Sequence, residues 1–222
     1  MATENKLPRA RLERHLNKFA LSILMPLGFK GQDDGCLREF DGGEQYFAIN
    51  VTDTGQKNEV RPFGATGLVA AFLVKKRFLG ASGVAGQFQI EYGHFSSDPI
   101  HGRPCQTQAE LPETEAWLQE FLLTQMVPCL EKYSDPQAIL QAYLAHDETQ
   151  KNTTDALAWK GWTSAATGLI YARLYRPEHY ATLKQRYARI FAPLLPEYKE
   201  QVTRLLAYLD QDRLQELPEM SD

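Results

Sequence analysis

Residues 31–51 read GQDDGCLREFDGGEQYFAINV. Cys36–Phe40 and Gln45–Thr52 are β-rich runs, and Asp41-Gly42-Gly43 between them is a hairpin signal. Aspartate hydrogen-bonds its neighbouring backbone there, and glycine accepts positive φ. Phe47, Ile49 and Val51 alternate with Tyr46, Ala48 and Asn50, so one face of this strand should be buried. Asp34-Gly35 marks a second turn upstream. The stretch is also acidic, with Asp33, Asp34, Asp41 and Glu44. These carboxylates could bind calcium or magnesium only if the two turns converged, and the D-x-[DN]-x-[DN]-G spacing of a calcium loop is absent. Turn chemistry explains the glycines but not the charge, because asparagine or serine would turn equally well.

Working outward, residues 8–25 form an amphipathic helix. Pro8 suits its start, and Pro26 and Gly28 stop it. Leu12, Leu16, Phe19, Ile23, Ala20 and Leu24 recur at three- and four-residue spacing, while Arg9, Arg11, Arg14 and Lys18 lie mainly off that stripe. Downstream, Thr66–Phe78 and Gln87–Phe95 complete a set of four strand-like runs. The run GATGLVAAFLVKKRF at 64–78 suits a buried strand but could be helical in part. The expected sheet is antiparallel, in meander order, with the first helix on its apolar face. Residues 96–112 hold three prolines and no periodicity, a long loop. Beyond Pro112 the pattern is helical: Glu113–Tyr133 with Pro128 ending or kinking it, Asp135-Pro136 through Leu144, Asn152–Arg176, Pro177–Phe191 and Pro193–Leu214. The expectation is an α+β fold, a sheet region over 1–110 and a helical region over 111–222, packed as one unit.

The chain has 222 residues, enough to bury roughly 70% of its unfolded surface. Hydrophobic residues make up 43% and charged residues 23%, the balance of a globular protein and not of a disordered one. The N-terminus is polar and shows no signal peptide. Its first apolar cluster, Phe19–Leu27, is too short to span a bilayer. Cys36, Cys105 and Cys129 are odd in number and far apart, which favours reduced thiols in a cytoplasm over disulfides or a zinc site. Net charge is −4, which argues against nonspecific nucleic-acid binding. Its distribution is uneven. Residues 1–30 carry six positive and two negative side chains, a net of +4. Residues 31–60 carry two and seven, a net of −5, and residues 111–150 one and seven, a net of −6. The last segment includes Glu113, Glu115, Asp147 and Glu148. Such faces are solvated, or they steer a basic partner.

His94, Asp98 and His101 in YGHFSSDPIHGR carry ligand chemistry for zinc or iron, but H-x3-D-x2-H matches no established site, and Asp-Pro is a turn initiator. Gly80, Gly83 and Gly86 lack the lysine and hydroxyl of a phosphate loop and lead into a strand. Lys75, Lys76 and Arg77 beside Phe78 could touch RNA, although three charges at a strand end are ordinarily solvated. No G-x-S-x-G motif or cysteine–histidine signature anchors nucleophilic catalysis. Trp159 and Trp162, with Ala165, Ala166 and Gly168, fit helix packing better than a ligand pocket.

The order helix, Leu27-Gly28-Phe29-Lys30, short charged strand, then YFAINV resembles a bacterial family of domains of unknown function, the one numbered 4304. The resemblance runs over about residues 10–145 and includes FLLTQMVPCLEKYSDPQAIL. That family carries no established activity, so no catalytic residue follows from it. Small bacterial proteins of this kind often accompany toxins as immunity proteins. The expected function is therefore non-enzymatic. The protein would neutralise a cognate toxin by masking its active site with an acidic surface, Asp33, Asp34, Asp41 and Glu44 or Glu113, Glu115, Asp147 and Glu148. No cofactor is expected. The alternatives are a metal-dependent hydrolase using His94, Asp98 and His101, and a homo-oligomeric regulatory or scaffold module.

Overall fold

The computed structural model describes residues 6–55, 57–80, 88–91, 95, 102–145 and 161–211. The first helix, α1 (Arg9–Leu24), starts after Pro8 and buries Leu12, Leu16, Ala20 and Leu24 of the predicted stripe, with Phe19 and Ile23 half-buried against the core. A 3-10 turn over Met25–Leu27 and a left-handed Gly28 (φ 90°) end it and send the chain into the sheet. The strands are β1 (Lys30–Gln32), β2 (Gly35–Phe40), β3 (Gly43–Asp53), β4 (Asn58–Leu68) and β5 (Phe88–Glu91), all antiparallel and in meander order, while β6 (Arg103–Pro104) pairs with β4. The expected α+β class and hairpin are present. Two-residue turns, Asp33-Asp34 and Asp41-Gly42, join β1 to β2 and β2 to β3.

Six strands are present among the described residues where four are expected, and the third expected run is displaced. The run at 66–78 is not one strand: β4 ends at Leu68, and Val69–Leu79 is a helix, α2. The partner of β3 is the earlier stretch from Asn58, disguised in the sequence by Pro62. Pro62 is tolerated because of register. The N–H and C=O of Ile49, its cross-strand neighbour, point away from β4, where both are hydrogen-bonded to the Asn17 side chain at 2.9 and 3.0 Å. Ile49 and Pro62 are thus a non-hydrogen-bonded pair, and the ladder asks no donor of the proline. The expected unbroken loop over 96–112 also contains β6 and a 3-10 turn over Gln108–Glu110.

Asn17 does more than satisfy Ile49. β2 pairs with β3 only as far as Gly35–Ala48, so Ile49 is the next position along, and the α1 carboxamide continues the ladder there. Asn17 also donates to Glu13 O at 3.1 Å within α1. The apolar face of β3, carrying Phe47, Ile49 and Val51, is buried as its alternation predicts, with Asn50 exposed.

The helical region runs α3 (Leu111–Phe121), α4 (Val127–Lys132), α5 (Pro136–Ala145), α6 (Trp162–Tyr175), α7 (Tyr180–Phe191) and α8 (Pro196–Leu209). Pro128 acts as predicted on the segment from Glu113. It cannot bond the Thr124 carbonyl, and the backbone relaxes into a π-turn over Leu122–Met126 between α3 and α4. Met126 packs so closely on Gly64 of β4 that a Cβ there would sit 2.5 Å from its sulfur, and Gln45 of β3 donates to Leu130 O at 3.0 Å. α1 and the α3–α4 segment therefore lie on the same face of the sheet. The last helix begins at Pro196 and not at Pro193, and the start of the third predicted helix, including Trp159, lies outside the described residues. Trp162 tilts against Tyr198 at 5.3 Å, and Gly168 of α6 admits the ring of Tyr143. Buried apolar residues from Leu7 to Leu209 form one continuous core. No helix among the described residues is long and apolar enough to cross a membrane.

Candidate functional site

An open groove of about 790 Å³ runs between one side of α1 and the β1–β2 hairpin. Its helical wall presents Arg9, Glu13, Arg14, Asn17, Lys18 and Leu21. These positions recur at three to five residues and so share a side of α1, adjoining the buried stripe. The other wall is Gly31–Gly35, with the carboxylates of Asp33 and Asp34 at its tip. Asn17 holds the two walls in place, since its bonds to Ile49 tie the helix to the sheet where β2 ends.

Asp33 takes a left-handed backbone conformation (φ 31°), which aspartate tolerates better than most residues, and this tight turn exposes both carboxylates. Neither Asp33 nor Asp34 has an ion-pair partner among the described residues, and nor do Arg14 and Lys18. Arg9 sits 3.5 Å from Glu13 one turn along, a weak exposed pair. Behind the hairpin, Tyr46 lies against Gly35, where a Cβ would fall 2.6 Å from its hydroxyl. Burial, then the charges of Asp34, Cys36 and Asp33, hold the Tyr46 phenol above its ordinary pKa.

The predicted acidic residues do not form one site. Asp33-Asp34 and Asp41 occupy turns at opposite ends of β2, a six-residue strand and so about 20 Å long. The two turns therefore do not converge on a cation. Glu44 is half-buried in β3, directly opposite Glu39. Glu113 and Glu115 stand in α3 and are both engaged: Glu113 with Arg103 at 3.2 Å, Glu115 with His15 of α1 at 2.6 Å. Asp147, Glu148, His94, Asp98 and His101 lie outside the described residues. Among the described residues no group of three or more histidine, cysteine or acidic side chains is placed to hold a metal.

The cysteines offer no activated thiol. Burial pushes Cys36 and Cys129 up to about 11, and Cys105 also rises, so all three are protonated at neutral pH. Lys75, Lys76 and Arg77 belong to α2, with Arg77 over the rings of Phe78 and Tyr208, and are not at a strand end.

The cationic wall of the groove was the part that sequence reasoning passed over. The signal lies in Arg9, Arg14 and Lys18, set off the apolar stripe of α1. That charge of this kind would face Asp33 and Asp34 required knowing where the hairpin folds back. Compared with family models, with curated proteins and with solved structures, the chain matches none of them.

Proposed function

We propose that this protein is a non-enzymatic protein-binding protein, an immunity protein that neutralises a cognate toxin by covering its active site. The observation that carries the binding reading is the groove itself. Asp33 and Asp34 are displayed on a two-residue turn without cationic partners among the described residues, above a concave surface. Exposed carboxylates held side by side on one turn attract a basic surface and speed the encounter electrostatically. The toxin as the class of partner comes from the family resemblance at Leu27–Lys30. Masking needs an interface of roughly 1,200–2,000 Å², so contacts would extend from the groove onto the flanking faces of α1 and the hairpin.

The test is a complex between the full chain and the protein encoded beside it, followed by light scattering and by assay of the toxin's activity. The expected result is a stoichiometric complex, an inactive toxin, and weakening by added salt. The double reversal Asp33→Lys/Asp34→Lys should weaken the complex at least about a hundredfold, as expected when two close charge pairs become repulsions. An unchanged affinity in that variant would overturn the assignment to this groove.

A further inference from the structure

We infer that the partner enters the groove as an extended peptide segment of mixed charge, which adds as a strand to the open edge of β1. This deepens the binding reading above and rests on it. The first observation is backbone register. The two-residue Asp33-Asp34 turn closes on the Gln32–Gly35 pair, so that pair exchanges both hydrogen bonds. The next pair, Gly31–Cys36, is then non-hydrogen-bonded, and the N–H and C=O of Gly31 point outward from β2. The alternation continues consistently into the sheet, because it requires Ile49 N–H and C=O to point toward the end of β2, where Asn17 binds them.

β1 is the terminal strand of the sheet order, and Lys30, Gly31 and Gln32 are all exposed. No hydrogen bond to the backbone of Gly31 from outside the strand is present among the described residues. A donor and an acceptor of the main chain thus stand side by side on the groove wall, which is the feature an added strand recognises. Asn17 shows the same recognition inside the molecule, with a carboxamide in place of a peptide unit.

The second observation is charge. A segment paired with Gly31 lies between Asp33-Asp34 at the hairpin tip and Arg14 and Lys18 on the helix. Complementarity asks it for a basic side chain on the side toward the hairpin tip and an acidic one on the side toward α1. A uniformly basic segment would meet the cationic wall, and a uniformly acidic one the hairpin tip. Each mismatch costs affinity through like-charge repulsion.

Three fluorescein-labelled octapeptides on a common threonine–valine background test this against the full chain by anisotropy at low salt. One alternates lysine and glutamate, so that an extended strand presents lysines on one side and glutamates on the other; the second carries lysines alone and the third glutamates alone. The mixed peptide should bind about tenfold more tightly than either other, and N-methylation of its central amides should weaken it about tenfold. Arg14→Glu/Lys18→Glu should abolish its binding, and the Gly31 amide should gain protection from hydrogen exchange. If the lysine peptide binds as tightly as the mixed one, and neither N-methylation nor the α1 reversal matters, strand addition is wrong while the carboxylate reading stands. If no peptide binds, strand addition is likewise overturned. A toxin complex that survives Asp33→Lys/Asp34→Lys removes the underlying reading instead.

Discussion

Two charge clusters in this molecule use the same side-chain types to opposite ends. At the end of α8, Lys184 reaches both oxygens of Asp210 at 2.6 Å, Tyr180 donates to Asp210 at 3.0 Å, and Arg173 donates to Leu209 O at 2.7 Å. Every charge there has a partner, and the arginine satisfies a carbonyl that the helix end leaves open. At the α1 groove, Arg14 and Lys18 face Asp33 and Asp34 without closing on them. The first cluster is a lock between α6, α7 and α8. The second is held apart by the Asn17–Ile49 tether, which fixes the helix against the sheet and keeps the opposed charges exposed. Closure distinguishes a structural ion network from a surface that remains available to another molecule.

If both clusters sit on one cooperative core, damage to the core should not respect the boundary between them. Leu169 in α6 is fully buried, and Leu169→Ala should cost about 2–5 kcal/mol. Urea unfolding followed by circular dichroism and by hydrogen exchange at the Ile49 amide should show both probes shifting together. A sheet transition left at its original midpoint would show that the two halves fold independently, and the comparison would then be between separate modules.

The tether comes next in size. Asn17→Ala strips the partners from both the N–H and C=O of Ile49, at a cost of about 2–3 kcal/mol in a part-buried setting. The same variant should loosen the groove, so partner binding should weaken beyond what the lost stability explains. A loss under about 0.5 kcal/mol in a urea titration would mean that water replaces the carboxamide and that the groove walls are set by packing alone.

The lock should give less. Asp210→Asn leaves Lys184 without its carboxylate, but Lys184 and Asp210 are each over a third exposed, so solvent screening reduces the loss to about 1 kcal/mol. Burial favours the neutral form of Asp210, yet hydrogen bonds from Lys184 and Tyr180 outweigh it and hold the carboxyl below its ordinary pKa. The contribution is therefore fully present above the unfolded aspartate value of about 3.9 and is lost as pH falls through the lower folded value. Thermal melts should show no difference in pH dependence between wild type and variant from neutrality down to that range, and a converging stability below it.

The uneven legibility of the fold has physical causes. The α1 stripe, the Asp41-Gly42 turn and the burial of Phe47, Ile49 and Val51 were readable because each follows from local period or turn chemistry. β4 was not, since Pro62 argues against a strand unless it falls at a non-hydrogen-bonded position, and its pairing with Ile49 is not visible in the local sequence. The switch from strand to helix at Leu68–Val69 was hidden inside one apolar run, which a buried strand and a buried helix share. Of the groove, the acidic tip and the off-stripe cations of α1 are each legible locally, but not that the fold sets them opposite one another. Glu113 and Glu115, equally acidic in their local sequence, are paired with Arg103 and His15 from other parts of the chain.

The smallest expected effect gives the sharpest test of the open cluster. Asp33→Asn/Asp34→Asn removes both charges and keeps a residue that tolerates the left-handed turn at position 33, so stability should change by less than about 0.5 kcal/mol. The change should instead appear in Tyr46. Its phenol is held high first by burial and then by the charges around it, Asp34 and Asp33 among them. Ionising the phenol beside a carboxylate places two negative charges together, and neutralising the turn removes that repulsion. The Tyr46 pKa, isolated by ultraviolet titration against Tyr46→Phe in the same background, should fall in the double variant and yet stay above that of a free tyrosine, because burial is unchanged. If it does not move, the two carboxylates are too well hydrated to act on their nearest neighbour. A surface that cannot bias a phenol lying against its own turn would not discriminate a partner's lysine from its glutamate.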